Sequence, residues 1–126
     1  LILKFGRIQK YDKLNFIVII NPRNGPGPDA VPDANYIREI VKLNSSPNVQ
    51  SIGYASTNWT KRNFDSVVND VIIYSNWSKK SMISGLEVKG IFLDETPTCY
   101  NQTSALFLEY LAYEIRSEKN LGENAL

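Results

Sequence analysis

An α/β fold of parallel strands alternating with helices is predicted by two observations. Three apolar, β-rich runs, at residues 15–21, 49–55 and 88–93, are each followed by a segment with helical apolar spacing. The units recur at about 35 to 40 residues, the spacing of βα units whose crossover connections make the strands parallel. No sequence repeat relates them.

The first run, Phe16-Ile17-Val18-Ile19-Ile20, is continuously apolar, as for a strand buried on both faces. A turn-rich stretch follows, with Pro22, Gly25, Pro26, Gly27 and Pro28. Asp33 can then cap a helix in which Tyr36, Ile37, Ile40, Val41 and Asn44 share a face, and Asn44-Ser45-Ser46-Pro47 ends it. Val49, Ile52 and Tyr54 suit the second strand. Thr57 or Thr60 can cap the next helix, whose face carries Phe64, Val67, Val68, Val71, Ile72 and Ser75. The third strand leads to a helix over 104–117 with Leu108, Leu111, Ala112 and Ile115 in its stripe. Residues 1–5 could add a strand, and the polar tail from 118 to 126 is expected to fray.

Length and composition narrow the function. The 126 residues suffice for one domain, and 43% hydrophobic with 21% charged residues is ordinary globular composition. Fourteen basic and thirteen acidic residues leave a net charge of +1, which gives no electrostatic case for a nucleic-acid partner. No apolar run approaches the roughly 20 residues of a membrane span. Cys99 is the single cysteine and histidine is absent, so neither an internal disulfide nor a Cys/His metal site is expected. The start lacks a methionine and a signal-peptide pattern, and three βα units cannot close a barrel. The chain is therefore expected to be a piece of a longer protein, truncated at both ends. Four N-x-Ser/Thr sequons, at Asn44, Asn58, Asn76 and Asn101, lean toward a secreted or cell-surface origin.

The strand exits carry the candidate chemistry. After the first strand, Gly25 and Gly27 suggest a phosphate loop, but the lysine and Ser/Thr of such a loop are missing. Three prolines also remove N–H groups that phosphate would need. A stiff cleft wall with Asn21 and Asn24 is the better reading. After the second strand, Tyr54, Thr57, Asn58 and Trp59 combine aromatic faces with polar groups. They suit a sugar subsite as well as they suit plain packing; Trp77, on a helix end, suits packing.

After the third strand stand Asp94 and Glu95, at the strand end where α/β enzymes keep their chemistry. Strand alternation should separate the two side chains, one facing the barrel axis and the other leaning toward a neighbouring strand. A glycosidase pair must flank the scissile bond, about 5–5.5 Å apart for retention or 6.5–9.5 Å for inversion. A partner carboxylate from another strand is therefore expected. Glu109 and Glu114 lie on a helix and are poor candidates.

Five ordered segments carry a resemblance: Asn21-Pro22-Arg23-Asn24-Gly25-Pro26-Gly27, Leu43-Asn44 with Pro47-Asn48-Val49, Gly53-Tyr54-Ala55-Ser56-Thr57 with Arg62, Tyr74-Ser75-Asn76-Trp77, and Gly90-Ile91-Phe92-Leu93-Asp94-Glu95. Together they resemble spherulation-specific family 4, the spherulin-4-like fungal and slime-mould cell-surface proteins. The resemblance implies a (β/α)8 TIM-barrel-like fold, of which this chain would be a partial fragment. It also implies a relation to glycoside hydrolases that cut galactosamine-containing polysaccharides such as galactosaminogalactan. By that resemblance Asp94 is the nucleophile or charge stabiliser and Glu95 the supporting acid. A later glutamate completing the set has no counterpart here. Substrate contacts would come from Asn21, Asn24, Tyr54, Thr57 and Trp59. Arg23 and Trp59 depart from the family's usual small polar residue and tyrosine. Hydrolysis needs no cofactor, and no metal-ligand cluster is visible in the sequence. The rival expectation is a non-catalytic cell-surface or developmental protein that keeps the fold and sugar binding.

Overall fold

The apolar runs form one parallel three-stranded sheet in the order β1 (Phe16–Ile20), β2 (Val49–Ser56), β3 (Ile91–Asp94). The structure is a computed structural model and describes residues 5–121. The helices are α1 (Phe5–Lys10), α2 (Ala34–Asn44), α3 (Phe64–Ser75), α4 (Trp77–Ser81) and α5 (Gln102–Ser117), followed by a 3-10 turn at Lys119–Leu121. Parallel strands alternating with helices are what consecutive units of a (β/α)8 barrel require.

Register sorts the side chains. Phe16 pairs with Val49, Ile20 with Gly53, and Gly53 with Ile91, so alternate residues of all three strands share a face. One face carries Val18, Ile20, Val49, Ala55 and Ile91, all buried against Ile40, Leu43, Val67, Val71, Leu111 and Ile115 of the helices. The opposite face carries Ile17, Ile19 and Phe92, which are 59%, 38% and 38% exposed. The expectation of a first strand buried on both faces is thus corrected. An unbroken apolar run reports two apolar surfaces, and the described residues cover one of them.

Asp33 caps α2 as its position suggested, its carboxylate accepting from the Asn35 and Tyr36 amides. Neither Thr57 nor Thr60 caps α3. Asn63 does, accepting from the Ser66 amide, because both threonine hydroxyls are engaged by the β3 and α5 loops. In α5 the expected stripe is present, with Leu111 and Ile115 buried, and Phe107 meets Phe64 of α3 edge-on at 5.2 Å.

Two further expectations change. Residue 5 begins a helix rather than ending a strand, and α1 buries Ile8; residues 1–4 lie outside the described residues. The tail is docked as far as residue 121, since Leu121 is buried and Glu118 accepts from the Ser75 hydroxyl. Residues 122–126 are outside the described range. Asn44 of the first sequon donates both amide hydrogens, to the carbonyls of Gly85 and Glu87 at 2.8 and 2.7 Å, and so ties α2 to the segment that leads into β3.

Tyr74 of α3 locks the sheet from behind. Its buried hydroxyl donates to the Ile20 carbonyl at 2.9 Å and accepts from the Tyr54 amide at 3.2 Å. Its ring lies against the Cα of Gly53, where a Cβ would come within 2.8 Å. Trp77 packs on that ring at 4.7 Å, fully buried, as a packing residue should be.

Candidate functional site

All three strands run in one direction, so their exit loops gather at a single end of the sheet. Ser56 and Asp94 are register partners, and Tyr54 sits two residues before Ser56, so these three side chains share the face opposite the helix-packed one. The Tyr54 hydroxyl donates to Asp94 Oδ2 at 2.7 Å. Hydrogen bonding to Asp94, reinforced by burial and by the charges of Asp94 and Glu95, pushes the phenol up to about 12 from 10. Tyr54 therefore stays a proton donor at any ordinary pH.

Strand alternation should have leaned one of the two acids toward a neighbouring strand and pointed the other to the barrel axis, whereas both reach side chains of β2. Glu95 has a left-handed backbone, φ 56°, which ends the strand and turns the side chain back toward β2. There its Oε2 accepts a hydrogen bond from the Ser56 hydroxyl. The Glu95 amide donates to Asp94 Oδ1 at 2.8 Å. Both carboxylates are thus held by neutral donors, a phenol, a hydroxyl and an amide. Tyr54 and Ser56 occupy successive positions on that face of the neighbouring strand.

The loop after β2 braces this corner from behind. Thr57 is fully buried, its amide donates to the Asp94 carbonyl at 3.0 Å, and its hydroxyl reaches the Glu95 carbonyl at 2.9 Å. It does not face solvent. Asn58, Trp59 and Thr60 all have positive φ, 48°, 53° and 63°. A left-handed turn of three non-glycine residues costs about 1–2 kcal/mol per residue, and such strain concentrates at functional sites. Two contacts hold it in place. The Trp59 amide donates to the Glu95 carbonyl at 2.7 Å, and the Thr60 and Ser104 hydroxyls meet at 2.7 Å. The turn leaves Trp59 about half exposed beside the acid corner.

The first exit loop is stiff for a different reason. Asn21 accepts from the Gly25 amide at 3.0 Å, and its own carbonyl accepts from the Tyr36 hydroxyl at 3.2 Å. Asn24 is exposed, with φ 53°. Pro22, Arg23, Pro26, Pro28, Val31 and Asp33 border a cavity of about 180 Å³ in this loop. Of the sequence-derived candidates, Asp94, Glu95 and Tyr54 are therefore in one hydrogen-bonded cluster, with Thr57 behind it and Trp59 at its rim. Asn21 spends its carbonyl oxygen on the loop. Ser56, which the residue pattern did not single out, is signalled by parity, two positions after Tyr54. Among the described residues no group of three or more acidic, cysteine or histidine side chains could hold a metal ion, and no helix is long and apolar enough to cross a membrane.

No curated protein matches the chain. The crystal structure of Aspergillus clavatus Sph3 in complex with GalNAc superposes with a TM-score of 0.89 at 43% identity. The match covers 91% of this chain and 46% of the Sph3 chain, so the present chain spans about half of that protein's length. The sequence matches the family described as spherulation-specific family 4 over residues 4–126. With the match running along nearly the whole chain, the protein belongs to spherulation-specific family 4.

Proposed function

We propose that this chain supplies one wall of the cleft of a secreted or cell-surface glycoside hydrolase acting on a galactosamine-containing polysaccharide. The observation that carries this reading is the corner where Asp94 and Glu95, consecutive in sequence, are both turned onto the Tyr54–Ser56 edge of β2. Likeness to a protein solved with GalNAc supports the sugar class.

In this reading Asp94, ionised and oriented by Tyr54, stabilises or traps the oxocarbenium-like centre. Glu95, held by Ser56, is the supporting acid of the corner. A glutamate from a later strand, beyond the present sequence, donates the proton to the leaving oxygen. Trp59 offers a ring face to the apolar side of a pyranose, with Asn24 and Asn21 along the wall. Thr57 acts from behind, by holding the two carbonyls.

The test is release of new reducing ends from galactosaminogalactan by the full-length protein. Asp94→Asn should abolish release and Glu95→Gln should weaken it. Undiminished release from Asp94→Asn overturns the assignment. Sugar binding without any release by the wild type supports the non-catalytic cell-surface reading instead.

A further inference from the structure

The ion pair between Arg62 and Asp70 lies outside the acid corner yet touches what holds it. Arg62 Nη1 donates to Asp70 Oδ2 at 2.7 Å and to the Ser56 carbonyl at 3.1 Å. The Arg62 amide donates to the Thr57 carbonyl at 3.2 Å. One residue thus grips both members of the Ser56-Thr57 pair. That pair in turn holds the Glu95 carboxylate through the Ser56 hydroxyl, and the Asp94 and Glu95 carbonyls through Thr57. Asp70 does a second job. Its Oδ2 lies 3.2 Å from the point where a Cβ on Gly25 would sit, so the first exit loop rests directly on it.

A surface ion pair would explain little, but this one is well sheltered, with side chains only 30% and 13% exposed. A guanidinium can bond a carboxylate and a carbonyl at once from a fixed plane, whereas a lysine ammonium is a point charge on a flexible stem. Among the described residues the two carboxylates of the corner have neutral partners, and the Arg62 charge is spent on Asp70. That suits an arginine that sets geometry and leaves the charge of the acids unquenched.

We infer that Arg62, seated on Asp70, is the positioning residue of the acid corner: it fixes Ser56 and Thr57, and through them the direction of Glu95. Activity-based tests of this inference rest on the hydrolase reading above, but one measurement does not.

The experiment compares Arg62→Ala, Arg62→Lys, Ser56→Ala and the Arg62→Ala/Ser56→Ala double variant of the full-length protein on galactosaminogalactan. Arg38→Ala, which removes an exposed positive charge, is the control. Misplacing a catalytic group by a fraction of an ångström to 1 Å lowers turnover on the order of 10- to 100-fold. Arg62→Ala should show that loss in kcat with KM little changed, Arg62→Lys should recover part of it, and Arg38→Ala should behave as wild type. The double variant should lose less than the product of the two single losses, because Ser56 lies on the path through which Arg62 acts. Multiplying losses, or an Arg62→Ala kcat equal to the control, overturn the inference. Asp70→Asn, which keeps volume, takes the place of Arg62→Ala if the alanine variant does not fold.

Hydrogen exchange separates this inference from the hydrolase reading. The Thr57 and Trp59 amides donate to the Asp94 and Glu95 carbonyls, so they report the corner without substrate. If the wild type releases no reducing ends, the hydrolase reading fails. Faster exchange at both amides in Arg62→Lys then still supports the positioning role, and unchanged exchange overturns it.

Discussion

The phenol of Tyr54 donates to Asp94 Oδ2 at 2.7 Å across the β2–β3 pair, and that bond is the main reason its ionisation moves up to about 12. Replacing Asp94 by asparagine removes the charge and weakens the bond, so the Tyr54 phenol should ionise closer to 10. Difference absorbance titration of the phenolate against Tyr54→Phe isolates this one tyrosine. The sign for stability follows from linkage. Because the folded value lies above the ordinary one, the stabilisation is complete below about pH 10 and is lost as pH rises through about 12. An unshifted phenol in the wild type would show that the bond does not persist in solution.

Gly53 has no room for a side chain. A Cβ would sit 2.8 Å from three atoms of the Tyr74 ring, and the ring cannot retreat while its hydroxyl bridges Ile20 and Tyr54. Gly53→Ala should cost about 1–3 kcal/mol by overpacking. Tyr74→Phe should cost a comparable amount, about 1–3 kcal/mol, by leaving a buried carbonyl and amide unpaired. Urea denaturation of both variants measures this, and an unchanged midpoint for Gly53→Ala would mean that the ring shifts freely.

Glu95 carries a backbone conformation that L-residues avoid, φ 56°, in exchange for the direction of its carboxylate. Glu95→Ala and Glu95→Gly both lose the bond from Ser56, but only glycine relieves the left-handed strain. Glu95→Gly should therefore be more stable than Glu95→Ala by about 1 kcal/mol, while neither retains the carboxylate. Equal denaturation midpoints would place the turn in an ordinary conformation.

The sheet and its helices were legible because their signals are local. Asp33 precedes a helical stripe, and the runs at Phe16, Val49 and Ile91 are β-rich and closely bounded. The start of α3 was not legible, because Thr57 and Thr60 are good caps that long-range contacts to residues 94, 95 and 104 divert. Nor was the turn of Glu95. A left-handed glutamate carries no mark in sequence, and alternation leaned only one of the two acids toward a neighbouring strand, where both reach β2. Tyr54 could be read as a sugar platform, but its bond to Asp94 depends on the β2–β3 register, which single-sequence patterns do not specify.

The exposed face of the sheet sets the behaviour of the 126-residue chain by itself. Ile17, Ile19 and Phe92 are exposed on this face, and among the described residues β1 and β3 each leave one edge unpaired. Such a surface attracts any apolar partner, including another copy, and open edges template strand pairing. The isolated chain should therefore bind an environment-sensitive apolar dye and associate with rising concentration. Ile17→Thr keeps a β-branched residue in the strand and removes the largest exposed apolar group of this face, so it should reduce both effects. Light scattering with dye titration reads the two together. A monomer with no dye binding and a cooperative thermal transition would mean that the face is covered by the chain itself, and the reading of this sheet as one wall of a larger barrel would lose its physical support.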